Sequence, residues 1–114
     1  MSEITPNVFD PNCRSRILLA LIAHKWSVLL IYALANGPRR TAELSRMVGG
    51  ITQKMLTQTL RELETAGLVD RTVFPEVPPH VEYSLSQRGQ SLSPVLKAMC
   101  VWTQRHALDR LAPP

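Results

Sequence analysis

Two adjacent glycines, Gly49-Gly50, constrain the fold of this chain more than any other feature. They break an otherwise helical pattern into two short pieces, since glycine is the least favourable helix interior residue after proline. Upstream, TAELSRMV is predicted as a short helix capped by Thr41; downstream, Thr52 is predicted to cap a second one that runs to Ala66 and leaves through Gly67. Leu56, Leu60 and Leu63 stand at i, i+4 and i+7, the spacing of a buried stripe. Thr57, Gln58 and Arg61 point elsewhere, together with Gln53 and Lys54 in the first turn. Two short helices joined by a glycine turn have helix-turn-helix grammar.

The flanks extend the pattern. Residues 1 to 12 read as a short arm with two prolines, ordered if Ile4, Val8 and Phe9 find a partner, and residues 13 to 110 as the folded domain. CRSRILLALIA, from Cys13 to Ala23, is predicted as a helix with Asn12 as its N-cap, and its apolar residues cover nearly the whole circumference. Such a helix is expected to be buried on several sides. A second helix runs from about Trp26 to Ala35 and stops at Asn36-Gly37-Pro38. After Gly67 the period shifts: LVDRTVF and the alternating VEYSL, joined by the proline-rich PEVPPH, predict a two-stranded hairpin packed on the helices. Ser86 is predicted to cap a last helix reaching about Arg110, kinked at Pro94. Its stripe of Leu92, Val95, Leu96, Met99, Trp102 and His106 is longer than a domain this small needs for its own core. With Leu18 and Ile22 on the first helix, it predicts a surface buried by a second copy of the chain.

Charge points to the partner. The segment from Gly37 to Arg61 holds five bases (Arg39, Arg40, Arg46, Lys54, Arg61) and one acid, Glu43. The remaining eight bases and eight acids cancel, so the whole net charge of +4 lies there. A concentrated basic segment suits a polyanion, with a solvated basic surface as the plain alternative. No apolar run approaches the ~18 residues of a membrane span, and MSEITPNVFDPNC lacks the basic start and apolar block of a signal peptide. The expectation is a cytoplasmic protein without a membrane partner, in which Cys13 and Cys100 stay reduced. Neither clustered Cys/His ligands, a glycine-rich phosphate loop nor a catalytic constellation is present, so no metal, no cofactor and no enzymatic activity is expected.

A helix-turn-helix followed at once by a β-hairpin is the winged-helix arrangement. From Cys13 to about His106 the chain resembles the HxlR-type bacterial transcription regulators, relatives of the MarR group. IAHKWSVLLIYAL, GGITQKMLTQTLRELETAGLVDR and VPPHVEYSLSQRGQSL carry the resemblance. It implies a mainly helical winged helix-turn-helix protein with a small β-hairpin, dimeric through its N- and C-terminal helices, that binds double-stranded DNA and regulates transcription. Three positions depart from the family pattern. Ala23-His24 replaces a glycine pair and Thr41 an aromatic residue, both expected to alter packing. His80 stands where a lysine is usual after Pro-Pro, a weaker or pH-dependent phosphate contact.

Under this resemblance the recognition helix presents Thr52, Gln53, Lys54, Thr57, Gln58 and Arg61, with Gln53 suited to adenine and Lys54 to guanine or phosphate. Glu62 and Glu64 are expected to lie beyond the groove. Arg39, Arg40, Arg46 and the wing's His80 are the candidate phosphate contacts, which position without specifying. Cys13, at a predicted helix start near Arg14 and Arg16, is the candidate sensor of oxidants or electrophiles; the competing reading is a packed, inert thiol. Cys100 reads as interface or core packing. A pocket for a small-molecule inducer beside Trp26 and Trp102 competes with plain core roles for both rings. The functional expectation is a regulator, with repression its expected sign, that binds a near-palindromic operator as a homodimer. The rival is a winged-helix module that docks a protein and leaves DNA alone.

Overall fold

The computed structural model describes residues 5–108, so the expected end of the last helix at Arg110 and the role of Ile4 lie outside the described residues. The described residues form five helices and a small antiparallel sheet: α1 (Arg14–Ile22), α2 (Lys25–Ala33), β1 (Arg39–Arg40), α3 (Thr41–Met47), α4 (Gln53–Thr65), β2 (Val69–Phe74), β3 (His80–Leu85) and α5 (Gln87–His106). The expected hairpin is present, with Val69 opposite Leu85 and Phe74 opposite His80. It has gained a third strand. β1 pairs with β3, Arg39 opposite Tyr83 and Arg40 opposite Glu82, giving the order β1-β3-β2. A two-residue strand has no periodicity for a sequence to display, and its pairing joins residues some forty positions apart.

Two of the four predicted caps stand as read. The Thr52 hydroxyl accepts from the Met55 N–H at 3.1 Å, and Ser86 Oγ accepts from the Gly89 N–H at 3.0 Å while donating to the Gly67 carbonyl at 2.6 Å. The others shift by one residue. Cys13, not Asn12, is the N-cap of α1, and Arg40, not Thr41, that of α3. An arginine side chain has no acceptor to offer the first turn. The reverse half of a capping box serves instead: the Glu43 carboxylate accepts from the Arg40 N–H at 3.1 Å, which holds its pKa below the usual carboxylate range.

The core forms where α2 meets α4 and α5. Leu30 and Ile31 of α2 are fully buried, as are Leu44, Leu56 and Leu63, with Leu60 and Val69 nearly so. The predicted stripe of α4 is therefore its buried face. α1 is the exception to expectation: none of its residues is buried, and Ile17 is 68% exposed. It leaves the body at 71° to α2 and packs chiefly against that helix alone. The radius of gyration of 16.3 Å exceeds the ~13 Å of a compact chain of about this length. No single helix among the described residues is long and apolar enough to cross a membrane.

α5 continues through Pro94 and is anchored at its start by a close approach. A Cβ on Gly89 would collide with the backbone carbonyl of Leu68, the same carbonyl that accepts from the Ser86 N–H at 3.0 Å. Backbone cannot move aside as a side chain can. Gly89→Ala therefore sets an improvement in helix propensity of ~1 kcal/mol against an overpacking strain of ~1–3 kcal/mol. The expected outcome is a lower urea midpoint than wild type; an unchanged or raised midpoint would show that α5 can shift freely on β2.

Candidate nucleic-acid interface

The outward side of α4 collects the polar residues read from the sequence. Gln53, Lys54, Thr57, Gln58 and Arg61 are all exposed, while Leu56, Thr59, Leu60 and Leu63 are buried behind them. At 100° per residue, Lys54, Gln58, Arg61 and Thr65 fall nearest the direction opposite the buried stripe. Gln53, Lys54, Thr57, Gln58 and Arg61 line one groove of about 900 Å³, whose lining also includes Leu21 of α1. Thr52 stands apart from this set, because its side-chain oxygen caps the helix.

Glu62 stands on the C-terminal half of α4. It lines the same groove and accepts a hydrogen bond from Gln58 Nε2 at 3.3 Å. One turn of helix is enough to bring the pair together. This bond holds the Gln58 amide toward the C-terminal half of α4, whereas Gln53 and Lys54 form no side-chain hydrogen bond among the described residues. Thr65, absent from the sequence-based set, also borders the groove, its hydroxyl donating to the Arg61 carbonyl at 2.9 Å.

The candidate phosphate contacts divide. Arg40 and Arg46 are exposed, and like Lys54 and Arg61 they form no ion pair among the described residues. Arg39 is tied to Glu43 at 3.5 Å, and its Nε is buried without a hydrogen-bond partner. It braces the start of α3 more than it faces solvent. His80 is corrected outright. Its Nδ1 lies 3.3 Å from Glu76 and its Nε2 3.2 Å from Glu82, and the ring stacks on Phe74 with centroids 4.6 Å apart. With both ring nitrogens facing carboxylates and a side chain 14% exposed, His80 has nothing left for a phosphate. The wing tip here is acidic, an outcome that no reading of His80 alone could give because Glu76 reaches it across the turn.

The expected dimer surface also divides. Val95, Met99 and Trp102 are exposed on α5, Trp102 against His106 at 4.5 Å between centroids. Leu96, placed in that surface by its spacing, is a correction: at 4% exposure it belongs to the protomer's own core, with Leu92 half-buried beside it. On α1 the most exposed apolar residues are Ile17 and Leu19, while Leu18 and Ile22 are half-buried. Trp102 borders a hollow with Val101 and Arg105, while Lys25 Nζ sits 4.3 Å from the Trp26 ring centroid.

Cys13 is half-buried at the start of α1, where its sulfur accepts from the Asn7 N–H at 3.3 Å and lies 3.0 Å from Ser15 Oγ. The Ser15 hydroxyl, then the Asn7 amide, lowers the thiol pKa; the neighbouring arginines are not the cause. Arg16 turns away to donate to the Phe9 carbonyl at 3.2 Å. The thiol borders a cavity of about 730 Å³ that Arg14 and Arg88 also line. Cys100 is buried in the core, and burial pushes its pKa up.

Comparison with known proteins gives a consistent result. Residues 21–110 match the model of the HxlR-like helix-turn-helix family. The chain is 50% identical over 101 residues to the uncharacterized HTH-type transcriptional regulator YkvN of Bacillus subtilis (strain 168), covering 89% of this chain and 86% of that one. Among solved structures it is similar to ytfH from Salmonella typhimurium, described as a transcriptional regulator, with a TM-score of 0.84, 39% identity, and coverage of 90% and 92%. It is also similar to the redox regulator HypR in its oxidized form, with a TM-score of 0.76, 42% identity, and coverage of 82% and 96%.

Proposed function

The chain belongs to the HxlR-like helix-turn-helix family and is a DNA-binding transcription regulator, not an enzyme; from that premise we propose that it works in the cytoplasm as a homodimer whose two α4 helices read a near-palindromic operator. The observation that carries this reading is the outward face of α4, which is polar and basic and has no acid before Glu62. A protein-docking module would present an apolar or acidic face there. Gln53 and Lys54, in the first turn, enter the major groove end-on, while Arg40 and Arg46 hold the flanking backbone. Uncovered apolar residues on α1 and α5 support pairing through those helices. The reading extends to repression, because a dimer seated on a promoter excludes polymerase without any further surface.

Protection mapping of DNA recovered with the protein tests this directly. Two protected half-sites are expected about one helical turn apart, ~10 base pairs centre to centre or a multiple of that. A single asymmetric footprint would overturn the symmetric reading.

A second proposal is a redox response through Cys13, supported by the lowered thiol pKa and the likeness to HypR. A lowered pKa means that thiolate persists to lower pH than in an ordinary cysteine, and is lost only as pH falls through that lowered value. Iodoacetamide at neutral pH should label Cys13 on the order of tenfold faster than Cys100, whose thiol is buried and shifted up. Mild peroxide should change DNA affinity in wild type and leave Cys13→Ser unaffected. Equal responses in the two proteins, or none in either, would return Cys13 to a packing role.

A further inference from the structure

We propose that the cleft where the α2–β1 turn meets β3 and the proline turn of α5 binds a small amphipathic carboxylate, a hydrocarbon body with one anionic end. The proposal rests on the regulator reading above, to which it adds the place and chemistry of an effector. The cleft has a volume of about 660 Å³, within the ~300–1,000 Å³ usual for small-molecule sites. Leu34, Pro38, Leu85 and Pro94 give it aliphatic walls.

Two of its polar groups, Lys97 and Ser93, are unused. Lys97 is the one charged side chain in the lining, and it forms no ion pair or hydrogen bond among the described residues. No acid lines the cleft, and α5 from Gln87 to His106 contains no aspartate or glutamate at all. Ser93 lines the cleft, and its hydroxyl forms no hydrogen bond among the described residues. The Gln90 side chain is occupied, donating to the Leu85 carbonyl at 3.4 Å along the inner edge. One free cation and one free hydroxyl donor above an aliphatic floor complement a carboxylate on a hydrocarbon body.

The location connects the cleft to DNA binding. Asn36, Gly37 and Pro38 line it, and the next two residues are Arg39 and Arg40 of β1. Gln90, Pro94 and Lys97 lie on a different flank of α5 from Val95, Met99 and Trp102. A ligand seated there leaves the apolar stripe uncovered and acts on the turn that places Arg40.

The test uses the full chain, ¹⁵N-labelled, titrated with octanoate and with its neutral counterpart octanamide. Saturable amide shifts are expected for octanoate at Gly37, Gln90 and Lys97, with octanamide weaker by about tenfold, the worth of one charge-assisted contact. Lys97→Met, an exposed substitution, should remove that preference while leaving octanamide binding unchanged. Octanoate should also alter operator affinity in wild type and not in Lys97→Met. Absence of saturable shifts at those residues at millimolar octanoate, equal binding of acid and amide, or an unchanged preference in Lys97→Met would each overturn the site. Operator binding without any carboxylate is measured on the same samples. A protein that binds its operator but shows no shifts keeps the regulator and loses the cleft. One that binds no DNA loses the regulator reading, and the shifts still decide the cleft.

Discussion

Replacing Gln53, Lys54 and Arg61 together by alanine is expected to eliminate site-specific DNA binding while leaving the protein folded. All three side chains are exposed, and alanine is the most favourable helix residue, so circular dichroism and thermal midpoint should hold. Thr52 is left in place because it caps α4, and its loss would confuse a reading defect with an unravelled first turn. In the proposed complex Gln53 and Lys54 contact bases, each contact carrying roughly 1–3 kcal/mol of discrimination, so their joint loss is expected to weaken the specific complex by roughly 30-fold to 20,000-fold per half-site. Arg61 is placed on backbone, so its removal lowers the slope of log affinity against log salt by about one for every sequence. The measurement is a titration on operator and random duplexes at several salt concentrations. The two duplexes should become indistinguishable for the triple variant. Wild-type affinity for the operator in the folded variant would mean that α4 does not read DNA.

The helix-turn-helix was legible because its signals are local. Leu56, Leu60 and Leu63 announce a buried face by spacing alone, and Thr52 and Ser86 announce helix starts by chemistry alone. What escaped depends on residues distant in sequence or on faces that composition cannot separate. β1 exists only through pairing with β3, and the α3 start is fixed by Glu43 reaching backwards to Arg40. His80 reads as a phosphate contact until Glu76 and Glu82 are seen on its two nitrogens. α5 is apolar on adjoining faces, so spacing could not tell Leu96, which points inward, from Met99, which points out. The same ambiguity made α1 look like a core helix, though within the protomer nothing buries it.

That uncovered surface yields the second large effect. Met99→Asp is expected to convert a dimer into a folded monomer. Met99 is 44% exposed and Ile17 68% exposed, so an aspartate at either position stays hydrated in the isolated protomer and leaves the core of Leu30, Leu56 and Leu63 untouched. In a dimer built on α1 and α5 the same carboxylate would be buried among apolar side chains. A charge left buried without a partner is destabilising by roughly 3–5 kcal/mol, which raises the dissociation constant by roughly two to four powers of ten. Leu96 cannot make this distinction, because a charge there would unfold the protomer itself. Sedimentation across a concentration series measures the outcome, with circular dichroism confirming the fold. Operator affinity should fall in parallel, since a monomer holds one half-site where a dimer holds two. If Met99→Asp and Ile17→Asp both sediment with wild type as dimers at micromolar concentration, the partner surface lies elsewhere, and the spacing of the two α4 helices would have to be derived from that other surface.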